Sequence, residues 1–190
     1  HAFDDKKTHR ELTEAAAKPS VSSLKSYLIS NLGFTDGYYK VLNGIDRDGY
    51  NKPYTILKWL QEGSTDEDAL NICRASNHFH NPIHPGDWTQ SQMSDSTTVD
   101  LSCGTAHRYS TVTWATGYTS PEIYSGARTG RYLGATGWYD IPQDMGWDSA
   151  RVYFYNALIT TDTSAREAFF VKTFKAIGQT LHLLQDIEVV

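Results

Sequence analysis

LHLLQD, residues 181–186, closes the longest helical pattern in the chain. Ser164 and Glu167 stand ahead of it at capping-box spacing, and Phe170, Phe174, Ile177, Leu181 and Leu184 recur with helical period. The pattern predicts a helix from about 164 to 187. Within it His182 and Asp186 are one turn apart, so they share a face with about 5–6 Å between Cβ atoms. Such a pair can hold one metal ion, or two if the carboxylate bridges. It can equally be a helical ion pair, or a core histidine steadied by its neighbour.

Working back towards the start, the front of the chain also reads as helices. Asp4 or Asp5 can cap a first helix running to about Ala17, ahead of Pro19. Ser20 can cap a second, with Val21, Leu24, Leu28 and Leu32 on one face and Gly33 as its stop. Pro53 suits the first turn of a third, with Ile56, Leu57 and Leu60 inward and Gly63 after it. Residues 64–71 read as a short fourth helix, and Asp148 can cap another over SARVYFYNAL. Between about 81 and 146 Ser, Thr, Gly and Pro dominate, yet Tyr109, Trp114, Tyr118, Tyr124, Tyr132, Trp138 and Tyr139 lie there. That is too aromatic for a linker. It reads as a long ordered excursion over a helical core, with a small hairpin near 109–118. The expected fold is all-α, one domain over residues 1–190.

Composition sets the outer limits. The chain has 190 residues and a net charge of −5. Aromatic residues make up 13% of it, too much apolar surface for a disordered chain. The negative balance argues against a DNA-coating protein, which carries a basic stripe. It leaves room for a phosphate-handling enzyme, because bound metal ions invert the local charge. No apolar run approaches the roughly 20 residues of a membrane helix, and no basic, apolar leader stands at the front. The abrupt start at His1 reads as a processed or trimmed terminus. Cys73 and Cys103 are either one disulfide or two thiols, and their isolation excludes a thiolate zinc knuckle.

Two further segments could bear on chemistry. In EGSTDEDALNICRASNHFHNP, residues 62–82, Asp68 and His78 could face one centre. Glu67 has a plainer reading, because Ser64-x-x-Glu67 is itself a capping box, and Asp68 could simply favour the positive end of a helix dipole. His80 and His84 sit in a Pro-rich loop that reads as solvated. At the N-terminus, the α-amine of His1, with an ordinary pKa of about 7.7–8.0, could bind zinc together with its own carbonyl, and His9 could join it.

Taken in order, His9, Gly63 followed by Asp68, Asn77-His78-Phe79-His80-Asn81-Pro82 and Leu181-His182-Leu183-Leu184-Gln185-Asp186 resemble the zinc-dependent phospholipase C family and its relatives, the zinc-dependent single-strand nucleases. The likeness spans nearly the whole chain, with the 81–146 excursion weakly covered. It implies a multi-helix core and two zinc ions. Asp68, His78, His182 and Asp186 would surround one, while His1 through its main chain and His9 would hold the second, Asp186 bridging. It also implies a metal-bound hydroxide attacking phosphorus in line, with Asp68 as proton acceptor and Asp186 holding the ions. The substrate would be a phosphodiester, phospholipid ahead of single-stranded nucleic acid, and the protein would be exported to the periplasm or beyond the cell.

Two departures accompany the likeness. The family begins with tryptophan where this chain has His1. It also continues past its L-H-x-L-x-D helix with a P-x-H segment and later ligands, whereas this sequence ends at Val190, so a third zinc would need residues beyond it. The alternative from another class is a structural or binding module on the same scaffold. A companion chain or a second copy would then cover the 165–187 helix.

Overall fold

The computed structural model describes residues 7–69, 78, 111–116, 132–133, 138–139 and 145–187. Over these it is mainly helical: α1 (Thr8–Ala17), α2 (Leu24–Ser30), α3 (Ile56–Ala69), α4 (Thr111–Thr116), α5 (Trp147–Ile159) and α6 (Thr163–Ile187). Two antiparallel strand pairs interrupt the helices, β1 (Val41–Ile45) with β2 (Asn51–Thr55) and the two-residue β3 (Tyr132–Leu133) with β4 (Trp138–Tyr139). The expected multi-helix fold is thus present, with small antiparallel strand pairs beside the helices. No helix of the described residues is long and apolar enough to cross a membrane.

The β1–β2 hairpin owes its turn to one side chain. Asp46 Oδ1 accepts from the amides of Asp48 and Tyr50 at 3.0 and 2.8 Å, and Gly49 supplies the left-handed residue with φ +84°. Register then pairs Val41 with Thr55 and Asn43 with Pro53. Pro53 thus lies in β2, not in a helix. A strand of a two-stranded ribbon has an edge, where a missing N–H breaks no ladder bond. Thr55 starts α3 instead, its Oγ1 accepting from the Lys58 amide at 3.1 Å.

α3 also differs from expectation in length. It runs unbroken through Gly63, so residues 64–69 continue it and Ser64 is no cap: the Ser64 hydroxyl donates to the Gln61 carbonyl at 2.9 Å. Gly63 lies where α3 crosses α6. A Cβ there would sit 2.9 Å from Lys175 Cα, and one on Gly178 would sit 3.0 Å from Gly63 Cα. The two helices touch backbone to backbone at this point, which needs glycine on both sides. Asp66 and Lys175 pair at 3.0 Å along the same seam, both buried.

α6 is capped two residues earlier than its capping-box spacing predicts. Asp162 Oδ1 accepts from the Ala165 amide at 2.7 Å, while Glu167 Oε2 takes the Asn43 amide and side chain at 3.3 and 3.0 Å. Phe170 and Phe174 enter a core with Leu28, Leu42, Ile56, Trp59 and Ala157. Burial continues around α6 at Val171, Thr173, Gln179, His182 and Leu183, because α1, α3, α4, α5 and β1 of this same chain surround it. Leu184, predicted inward, is 51% exposed. The buried positions of the 165–187 helix are thus covered by elements of this same chain, while Leu184 stays open to solvent.

In the front half, α2 begins at Leu24 because a turn closes first, from the Val21 amide to the Lys18 carbonyl at 2.9 Å. Val21 is left 69% exposed and Leu28 is buried. Gly33 ends the helix as its position in the sequence predicts, with φ +70°. Near 109–118 the predicted hairpin is instead the short helix α4, whose Trp114 and Ala115 pack on Leu183. Asp4, Asp5, His1, His80, His84, Cys73, Cys103 and most of the 81–146 stretch lie outside the described residues.

Candidate metal centre

Three helices and one isolated residue build the centre. α1 contributes His9, α3 contributes Asp68, α6 contributes His182 and Asp186, and His78 completes it. The glycine crossing of α3 and α6 lies one turn below, so Ser64, next to Gly63, faces His182, one turn beyond Gly178. His182 Nδ1–H donates to the Ser64 carbonyl at 2.6 Å. A carbonyl oxygen only accepts, so the proton is on Nδ1 and the Nε2 lone pair turns inward.

Four donor atoms converge there. His182 Nε2 lies 3.1 Å from Asp186 Oδ2, 3.3 Å from His78 Nδ1 and 3.6 Å from Asp68 Oδ1. His78 Nδ1 lies 2.8 Å from Asp186 Oδ2 and 3.4 Å from Asp68 Oδ1. A tetrahedral ion with bonds of about 2.0–2.2 Å holds its ligand atoms about 3.3–3.6 Å apart. These five separations run from 2.8 to 3.6 Å; Asp68, His78 and His182 form one donor group of a size that suits a zinc-sized cation, with Asp186 Oδ2 beside it. Lone pairs of two imidazoles and two carboxylates at such spacing also repel each other unless a cation or protons stand between them.

Asp186 looks both ways. Its Oδ2 faces His78 and His182, while its Oδ1 faces His9 Nε2 at 3.6 Å. The His9 ring stacks on His182 with centroids 3.9 Å apart. His9 Nδ1–H donates to Gln185 Oε1 at 2.8 Å, and Gln185 Nε2 donates to Thr13 Oγ1 at 3.3 Å. That chain aims His9 Nε2 at the far side of Asp186, as a bridging carboxylate between two positions requires. His9, His182 and Asp186 form a second group of donors within 4.8 Å of one another. His1, assigned to this position from the sequence, lies outside the described residues.

Burial and charge set the protonation. Burial, then the neighbouring His182, pushes His9 below its ordinary pKa, which favours the neutral ligand form. For His78 burial works downward too, but its contacts with Asp186 and Glu67 outweigh it and lift the pKa to about 9. Asp186 is opposed by burial, yet His182 and His78 hold its carboxyl well below the usual carboxylate range. A proton on His78 thus does for the metal-free cluster what an ion would do.

The sign of the pH response follows. His78 gains its proton more readily folded than unfolded, so its contribution to metal-free stability is complete below about pH 6.5. It is lost as pH rises through about 9. Zinc needs the same nitrogen deprotonated. The stabilisation that zinc adds should therefore grow from pH 6.5 to 9, and uptake should release protons. Thermal melts at three pH values, with chelator and with buffered zinc, check this; a zinc increment that shrinks across the window would contradict it.

Of the sequence-assigned ligands, His9, Asp68, His78, His182 and Asp186 are brought together. Glu67 reads locally as a cap but is fully buried beside His78, its Oε1 accepting from Trp114 Nε1 at 2.7 Å. The signal for it was the triplet Asp66-Glu67-Asp68 inside a helix that must pack: three successive acids on a helix cannot all face water. Gln185 is a further residue that motif reasoning missed, although it lies inside LHLLQD. Comparison of the chain with family models, with curated proteins and with solved structures returns no match.

Proposed function

We propose that the chain is an exported zinc-dependent phosphodiester hydrolase of the phospholipase C type. The observation that carries the reading is the convergence of His78 Nδ1, His182 Nε2, Asp68 Oδ1 and Asp186 Oδ2, with His9 on the other oxygen of Asp186. Bound zinc supplies a water of lowered pKa and positive charge for phosphate oxygens. The protein's own part is positional. Ser64 and Gln185 turn the histidine protons outward, and Asp186 spans the two positions. Asp68, whose side chain is only 14% exposed, is placed to accept the proton of the attacking water. Phospholipid is the favoured phosphodiester, because a net charge of −5 leans away from a polyanionic nucleic-acid strand.

Elemental mass spectrometry on protein purified without chelator, then hydrolysis of phosphatidylcholine vesicles and of single-stranded DNA, tests the proposal. Two zinc ions per chain and phosphocholine release are expected. Preferential cleavage of the DNA would move the reading to a nuclease. Bound zinc with neither activity would favour the non-catalytic module, and a zinc-free protein would refute the metal centre.

A further inference from the structure

His78 is more than nine-tenths buried, and its second ring nitrogen, Nε2, has no hydrogen-bond partner among the described residues. What faces that nitrogen is Glu67 Oε1, 3.6 Å away. Glu67 is fully buried and held by the indole N–H of Trp114 at 2.7 Å. Trp114 is itself 1% exposed and packed on Leu183 of α6. A carboxylate so placed can only accept, so it favours the His78 tautomer that carries its proton on Nε2. That tautomer leaves the Nδ1 lone pair for the centre formed with Asp68, His182 and Asp186. A ring shift under about 1 Å turns the 3.6 Å contact into a hydrogen bond.

We propose that Glu67, clamped by Trp114, is a positioning residue. It fixes the tautomer and orientation of His78 and so presents Nδ1 to the metal. The arrangement gives the third histidine what Ser64 gives His182 and Gln185 gives His9, with a charged acceptor in place of a neutral one. It also accounts for α4, whose indole anchors the same carboxylate oxygen that faces His78. The inference rests on the metal-centre reading above.

The test has two parts. On the zinc-loaded wild type, a long-range proton–nitrogen correlation spectrum reads which His78 nitrogen bears hydrogen; Nε2–H is expected. Zinc dissociation constants for the wild type, Glu67→Gln and Trp114→Phe are then measured by competition with a chromophoric chelator. Glu67→Gln should weaken zinc about 10–100-fold with an unchanged far-ultraviolet circular dichroism spectrum, and Trp114→Phe should weaken it less. A purely structural role would leave the tautomer and the affinity of the folded protein unmoved. If His78 carries its proton on Nδ1, or if folded Glu67→Gln binds zinc as tightly as the wild type, the positioning role is wrong while the metal centre stands. If Glu67→Gln does not fold, the wild-type spectrum decides. A wild type that binds no zinc overturns the centre and the positioning role together.

Discussion

His182→Ala should abolish zinc binding and hydrolysis together. His182 is the one histidine shared by both donor groups of the described residues, and its Nε2 lies within 3.6 Å of His78, Asp68 and Asp186. Losing a residue that merely orients a ligand costs metal affinity about 10–100-fold. Loss of a residue that offers a donor atom directly should exceed that, with activity falling on the order of a thousandfold. Some of the damage will be structural. The substitution strands the Ser64 carbonyl and opens a cavity beside Leu183, at about 2–3 kcal/mol. Melting of the zinc-free variant separates that cost from the loss of the site. Asp186→Asn is the sharper companion: it keeps the volume and removes the charge that spans both positions. Elemental mass spectrometry and vesicle hydrolysis read both variants. Full zinc content in a folded variant that carries both substitutions would sink the centre.

Of the five residues that meet, only the pair on α6 was legible from helical spacing; His9, Asp68 and His78 stood out by their order along the chain. His182 and Asp186 need only one turn of α6 to meet. The ends of α1 at Ala17 and of α2 at Ser30 were legible for a similar local reason, Pro19 or Gly33 shortly beyond the stop. What failed was every element decided across the fold. Pro53 and Gly63 carry strong local meanings, helix start and helix stop, and both were overridden. Pro53 took a ribbon edge that Asp46 prepares earlier in the hairpin. Gly63 took a helix crossing that Gly178, far along the chain, completes. Glu67 failed the same way. Its capping-box spacing is local, whereas its burial depends on Trp114 and His78, which only the tertiary structure brings near.

Gly178→Ala should be among the most destabilising single-methyl changes available in this chain, and it should reach the metal. The added Cβ would come 2.9 Å from the Ser64 amide nitrogen and 3.0 Å from Gly63 Cα. Backbone cannot swing aside as a side chain can, so α3 and α6 must separate. Overpacking of a close core costs about 1–3 kcal/mol where side chains yield, and a backbone clash belongs at or above the top of that range. About 3 kcal/mol in a domain of this size lowers the melting temperature by roughly 6–12 °C. In ordinary helix interiors the same change stabilises by up to about 1 kcal/mol, so the sign itself is diagnostic. Separation of α3 from α6 also withdraws the Ser64 carbonyl from His182 Nδ1, 2.6 Å apart in the native protein, and spreads Asp68 from Asp186. Zinc affinity should therefore fall with stability, although residue 178 touches no ligand atom. A melt equal to the wild type, with zinc bound as tightly, would mean that the helices do not meet backbone to backbone. The crossing would then not be what holds the donor atoms at bonding distance.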